Sequence, residues 1–183
     1  MTTIPELFDL TGRAAIVTGG ASGLGQYYAQ ALIGAGADVF VVSRSEKGWQ
    51  ELRQFAAQHG RQVVFMTQDL TAEQAAINVI TEFKKHFESL DILINNAGVQ
   101  IRNDIVSYRD EDWQKVIDIN LNALYYLSHE AAKVMITQKS GKIINIGSMQ
   151  SFRAGKYIYP YAASKHAVVG LTKAYADALA PYG

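Results

Sequence analysis

The sequence predicts a doubly wound α/β fold built on a parallel sheet, and three observations carry that expectation. Five short runs, Ala14–Thr18, Val39–Ser43, Val63–Thr67, Ile92–Asn95 and Ile143–Gly147, are apolar on both faces. Strands read that way when helices cover a parallel sheet on both sides. Between the runs lie segments of helical period, so strand and helix alternate from one end of the chain to the other. The connections are short, and no Pro-, Gly- or Ser-rich linker interrupts them, so residues 1–183 are expected to form a single domain.

Taken in order, Ala14–Thr18 opens the sheet and leads through a glycine-rich turn into a helix over about Leu24–Ala35. Val39–Ser43 is followed by a helix near Lys47–His59, and Val63–Thr67 by one near Ala72–Phe87. Ile92–Asn95 precedes a long helical pattern, Asp112–Gln138. Ile143–Gly147 is the fifth strand, and Tyr161–Leu179 the last helix. Right-handed crossovers join such units. No repeat or low-complexity tract competes with this reading.

Composition narrows the function. Hydrophobic residues make up 49% and charged residues 19%, as in a soluble globular protein rather than a disordered chain. Formal net charge is zero, which gives no basic stripe for nucleic acid and no polybasic membrane anchor. The absence of cysteine excludes disulfides, thiolate catalysis and cysteine-ligated zinc. His59, His86, His129 and His166 show no ligand spacing, so no metal is expected, and Lys84-Lys85-His86 reads as a solvated helix face. Met1–Leu10, with Glu6 and Asp9, lacks the features of a signal peptide. No apolar run is long enough for a membrane span, and a cytoplasmic location is expected.

The first chemical signal follows the first strand. In Thr18-Gly19-Gly20-Ala21-Ser22-Gly23-Leu24-Gly25, glycines at 19, 23 and 25 permit a tight turn and let backbone N–H groups approach a pyrophosphate. The helix N-terminus adds unpaired donors and a favourable dipole. A glycine turn alone is weak, but placement between strand and helix strengthens it. The spacing is G-x-x-x-G-x-G, which resembles the short-chain dehydrogenase/reductase family.

Further matches run down the chain. Asp69-Leu70 follows the third strand and Asn95-Asn96-Ala97-Gly98 closes the fourth. Asn120 lies within Asp118-Ile119-Asn120-Leu121-Asn122, Ser148 ends the fifth strand, and Tyr161-Ala162-Ala163-Ser164-Lys165 follows. Singly, each has an ordinary structural explanation: an interface tyrosine, a solvated lysine, a serine cap, a locally bonded asparagine. As a set at strand ends they resemble the family's Asn–Ser–Tyr–Lys constellation. Tyr161 and Lys165 also stand at i and i+4, so they share a helix face and their side chains can meet. An ammonium beside a phenol favours the phenolate, as general acid/base work near neutral pH requires.

The resemblance implies a Rossmann-like fold with five of the family's usual seven strands, and an enzyme using NAD(P). It implies a cofactor site at Gly19, Ser22, Gly23, Leu24, Gly25, Ser43, Arg44, Asp69, Leu70, Asn96, Ala97 and Gly98, joined by Tyr161 and Lys165. Asp69 would contact adenine. Tyr161 would exchange a proton with the substrate oxygen, and Lys165 would hold the nicotinamide ribose. Ser148 would hydrogen-bond the reacting oxygen, and Asn120 would hold a water linking Lys165 to solvent. NAD users of the family usually carry an acidic residue after the second strand. Here Ser43 and Arg44 stand there, which leans towards NADP, with a solvated Arg44 as the alternative.

Two stretches, Val99–Asn103 and Ile146–Phe152, resemble the family's gluconate 5-dehydrogenase and 2-deoxy-D-gluconate 3-dehydrogenase branch. That branch implies a small-molecule sugar-acid substrate, with Arg102 gripping its carboxylate and Ser148 and Tyr161 meeting its reacting centre. Arg153 is a second candidate, read here as a rim arginine without a ligand. The alternatives are a 3-oxoacyl carrier-protein reductase or sugar-alcohol dehydrogenase of the same family, and a non-catalytic dinucleotide-binding module. Against the module stand the intact Ser148, Tyr161 and Lys165. Family members normally continue past the helix that carries Tyr161 with further strands and a substrate lid, so a truncated chain is expected. Asp112–Gln138 and Tyr161–Leu179 correspond to helices that pack between subunits in the family, which implies a homo-oligomer: a tetramer in full-length relatives, with a dimer possible here.

Overall fold

The computed structural model describes residues 7–183, so the reading of the first residues as no signal peptide lies largely outside the described residues. Five parallel strands form one sheet: β1 (Ala14–Thr18), β2 (Asp38–Ser43), β3 (Val63–Thr67), β4 (Ile92–Asn95) and β5 (Lys142–Asn145), in the order β3-β2-β1-β4-β5. The helices are α1 (Gly23–Gly34), α2 (Trp49–Gln58), α3 (Ala75–Phe83), α4 (Asp110–Ile117), α5 (Ala123–Gln138) and α6 (Tyr159–Leu179). This is the doubly wound, Rossmann-like arrangement, with the strand order reversing between β1 and β4.

Strand alternation divides the core into two faces. Ile16, Phe40, Val42 and Leu93 point to one side, where Val79 and Phe83 of α3 and Leu127 and Ala131 of α5 cover them. Phe40 meets Phe83 edge to face with ring centroids 5.8 Å apart, a preferred aromatic geometry. Ala15, Val17, Val39, Val41 and Ile94 point to the other side, against Ala29 and Ile33 of α1 and Leu52 and Ala56 of α2. The start of β4 is tied to β1 by Asp91. Its carboxylate accepts from the Ala14 amide at 2.9 Å, the Arg13 guanidinium at 2.8 Å and the Ser89 hydroxyl at 2.8 Å. Burial pushes the Asp91 carboxyl up, but these three donors outweigh it and leave it below the ordinary carboxylate value.

Three elements differ from the sequence expectation. The single helix expected over Asp112–Gln138 begins at Asp110 and is divided into α4 and α5 by a π-helical turn, Asp118–Asn122. Apolar periodicity does not register one extra residue in a turn, so the interruption leaves no clear trace in the sequence. The helix expected over Ala72–Phe87 is shorter at both ends, because Gln74 takes a left-handed conformation (φ 58°) and the chain leaves the helix after Phe83. Lys84, Lys85 and His86 therefore lie beyond the helix, though they remain exposed. The fifth strand ends at Asn145, before Gly147 and Ser148, and its residues alternate between exposed and half-buried. It is an edge strand of the described sheet: Ile143 packs on the core while Ile144 is 46% exposed. Among the described residues, no helix is long and apolar enough to cross a membrane.

Candidate active site

Because strand order reverses between β1 and β4, their C-terminal ends open a crevice, the usual place for a ligand on such a sheet. A groove of about 410 Å³ occupies it, lined by Gly19, Ser22 and Leu24 from the first turn, Ser43 and Arg44 after β2, Leu70 after β3, and Asn96–Gly98 after β4. Thr18 fastens the two strand ends together. Its hydroxyl accepts from the Asn96 and Ala97 amides at 2.9 and 3.0 Å, and Asn96 Nδ2 donates to the Thr18 carbonyl at 3.0 Å.

The glycine turn is shaped for close approach. Gly19 and Gly23 have φ of 65° and 54°, in the region that favours glycine. At Gly25 a Cβ would run into the Gly19 carbonyl and the Asn96 amide, so this turn of α1 fits only if residue 25 has no side chain. Ser22 flanks the first residue of α1 in extended conformation, and its hydroxyl makes no capping bond. The first amides of α1 and the Ser22 hydroxyl thus suit a pyrophosphate. A dinucleotide fits this donor set and this space.

The remaining predicted contacts are not all alike. Arg44 is exposed at the groove wall, and among the described residues its guanidinium forms no ion pair. Asp69 does not line the groove but faces an adjoining hollow with Arg44. Its carboxylate accepts from the Thr71 amide and hydroxyl at 2.9 and 2.8 Å, and those two bonds hold it below the ordinary carboxylate value.

Asn120, Tyr161 and Lys165 come together around the start of α6. Ser148 is not hydrogen-bonded to them but lines a hollow beside α6 with Val168 and Thr172. Lys165 is buried, and its Nζ donates to the Ile146 carbonyl just beyond β5 at 2.6 Å. Nζ also stands 5.8 Å from the centroid of the Tyr161 ring, the i,i+4 meeting that the sequence expects. Desolvation holds the Lys165 ammonium below the ordinary lysine value. Asn120 lies in the π turn, where an interrupted helix often serves a site. Its Oδ1 accepts from the Val99 amide at 2.8 Å, and its Nδ2 donates to the Val99 carbonyl at 3.0 Å and to Ser164 Oγ at 3.2 Å. Ser164 Oγ in turn donates to the Tyr161 carbonyl at 2.8 Å. Both amide hydrogens of Asn120 are therefore spent on fixing the loop after β4 and the first turn of α6.

Ser148 stands three residues beyond β5, in extended conformation at the head of a short turn, Met149–Ser151, that packs on α6. Arg102 is exposed on the loop after β4, and among the described residues its guanidinium makes no hydrogen bond or ion pair. That loop is joined to the one before α6: the Asn103 amide donates to the Tyr157 carbonyl at 3.0 Å, and the Tyr108 and Tyr159 rings meet edge to face. Arg153 is likewise exposed.

Sequence reasoning gave no role to Thr18 or Ser164. A hydroxyl at the end of the first strand and one between Tyr161 and Lys165 were the available signals, but serines and threonines are too common for position alone to reveal their partners.

A crevice at the switch point, a phosphate-shaped turn and a tyrosine–lysine pair beside it define a dinucleotide-dependent dehydrogenase. The chain belongs to the short-chain dehydrogenase family, whose model matches residues 13–183, and with that family it is an NAD(P)-dependent oxidoreductase. It is 46% identical over 177 residues to the uncharacterized oxidoreductase YgcW of Escherichia coli strain K12, a match covering 97% of this chain and 67% of that protein. To the 2-dehydro-3-deoxy-D-gluconate 5-dehydrogenase of Bacillus subtilis strain 168 it is 40% identical over 178 residues, covering 97% and 69%. A solved gluconate 5-dehydrogenase from Burkholderia cenocepacia J2315, in complex with NADP and tartrate, superposes with a TM-score of 0.91 at 34% identity, covering 99% of this chain and 71% of that one. The chain thus spans about two thirds of the length of the curated relatives named here.

Proposed function

We propose that this protein interconverts a hydroxyl and a ketone on a sugar acid of the gluconate or deoxygluconate type, with NADP as the preferred cofactor. The observation that carries the substrate class is Arg102, an exposed guanidinium on the loop after β4 that has no protein partner among the described residues. A planar guanidinium can hold a carboxylate through two parallel hydrogen bonds. The sugar-acid dehydrogenases among the relatives, and the solved relative holding NADP with tartrate, support the same reading.

When bound, the nicotinamide supplies or accepts the hydride. The rest falls to the chain's own groups. In reduction, the Tyr161 hydroxyl gives its proton to the carbonyl oxygen as that oxygen gains charge; in oxidation it takes the proton back. Lys165 is held by the Ile146 carbonyl with its ammonium 5.8 Å from the centre of the Tyr161 ring, and from there it would hold the nicotinamide ribose and favour the phenolate. Ser148 donates a hydrogen bond to the reacting oxygen. Asn120 keeps the loop after β4 and the α6 N-terminus in register, and its amide donors are already used there. A water linking Lys165 to solvent would therefore meet Asn120 through an oxygen that still has an acceptor site, not through its amide hydrogens.

Cofactor preference follows from charge. Ser43 brings no carboxylate to repel a 2′-phosphate, and Arg44 beside it is free to pair with one. The enzyme is proposed to be cytoplasmic and to work as a homo-oligomer.

The test is oxidation of gluconate and deoxygluconate-type acids with NADP and NAD supplied separately. Faster turnover with NADP and a sugar acid supports the reading. Turnover of a 3-oxoacyl thioester with none of the sugar acids would replace it with the carrier-protein reductase.

A further inference from the structure

We propose that Ser151 is a positioning residue that fixes the Ser148 hydroxyl as a hydrogen-bond donor towards the reacting oxygen, an inference that rests on the role given to Ser148 above. The geometry is a reciprocal cap. Ser148 Oγ accepts from the Gln150 amide at 3.1 Å, while the Ser148 amide donates to Ser151 Oγ at 3.1 Å. A serine hydroxyl has one donor and two acceptor sites. With its oxygen already accepting from the turn's backbone, the Ser148 hydroxyl has its proton left to give, and among the described residues no protein group receives it.

Ser151 is suited to this task and to little else. It is 4% exposed, and its hydroxyl oxygen is taken by the Ser148 amide. A Cβ on Gly147 would come within 3.2 Å of Ser151 Oγ, so the chain passes the hydroxyl closely at the residue before Ser148. The Ser151 amide donates to the Ser148 carbonyl at 2.9 Å, closing the turn around both serines. Gln150 anchors the far side: with its amide oriented to satisfy both ends, Nε2 donates to the Ala154 and Arg153 carbonyls. A turn held on both sides leaves Ser148 little choice of rotamer, which is the preorganisation that a donor to a developing oxyanion needs.

The experiment has two arms. Amide hydrogen exchange, read by NMR on the full chain without cofactor, reports the cap itself. Ser151→Ala should speed exchange at both the Ser148 and Gln150 amides by about tenfold, the worth of one ordinary hydrogen bond, and Ser151→Thr should leave both near wild type. Unchanged protection at Gln150 in Ser151→Ala would overturn the proposal, because the Ser148 hydroxyl would then be held without Ser151. Should Ser151→Ala fail to fold, Ser151→Cys, close in volume and a poor acceptor, is judged by the same criteria.

The second arm is kinetic. Ser151→Ala should lower kcat about tenfold with little change in KM, and should cost nothing further in a Ser148→Ala background. Losses that simply multiply would overturn the proposal, since they mark a general structural effect. A Ser148→Ala enzyme with wild-type kcat would strike the role of Ser148, and with it the catalytic half of this inference, while the exchange data still judge the cap.

Discussion

At the scale of single residues, the site concentrates its chemistry in a few atoms whose neighbours are already committed. Tyr161 is the group proposed to move a proton, and its removal should separate chemistry from binding. We expect Tyr161→Phe to lower kcat by about a thousandfold or more while nicotinamide binding, followed by fluorescence quenching, stays within a small factor of wild type. Undiminished turnover would remove Tyr161 from its role. Arg102 is proposed for binding instead: Arg102→Ala should raise KM for the sugar acid by about tenfold to a hundredfold with a smaller change in kcat. An unchanged KM would leave the guanidinium as a rim cation. The motif residues of this site were legible in the sequence because chemistry demands particular side chains at strand ends. Thr18, Ser151 and Ser164 were not, because what distinguishes them is a partner distant in the chain or hidden in a turn.

Elements show why some boundaries read plainly and others did not. β1 and β4 fall where their apolar runs fall, since strands covered on both faces must be apolar throughout, and β3 does so too although it is the sheet's other edge and its residues are only half-buried. β5 stops at Asn145, short of the expected Gly147, and its edge position leaves Ile144 facing outward. The π turn escaped because its residues, Asp118–Asn122, keep the polar–apolar mixture of the helices on either side. Between elements, the tie from Asp91 to β1 carries a pH signature. Its carboxyl lies below the ordinary value in the folded protein, so its stabilising contribution is complete above about pH 4 and is lost as pH falls through the folded value. Asp91→Asn should cost about 1–3 kcal/mol in denaturant unfolding at neutral pH, and the gap from wild type should narrow below about pH 4. A gap independent of pH would show that the carboxylate's charge contributes nothing there.

For the whole molecule, the sheet's switch point explains why most of the proposed cofactor contacts from Gly19 to Gly98 line one groove at the C-terminal ends of the strands. Away from that end, α5 presents Tyr125 and Tyr126 at 40% and 57% exposure, and Trp113 of α4 is 44% exposed. Aromatic side chains in that number suit a subunit interface. Light scattering after size exclusion should accordingly give a dimer or larger species, and Tyr126→Glu should shift it towards monomer; a monomer at every concentration would contradict the proposed assembly. The central claim, sugar-acid oxidoreduction with NADP, is tested most directly by following reduced nicotinamide in the near ultraviolet with gluconate-type acids, NADP and NAD being supplied in separate assays. The account predicts turnover with at least one such acid and a kcat/KM higher for NADP than for NAD. Strong preference for NAD, or turnover of acyl thioesters alone, would contradict it.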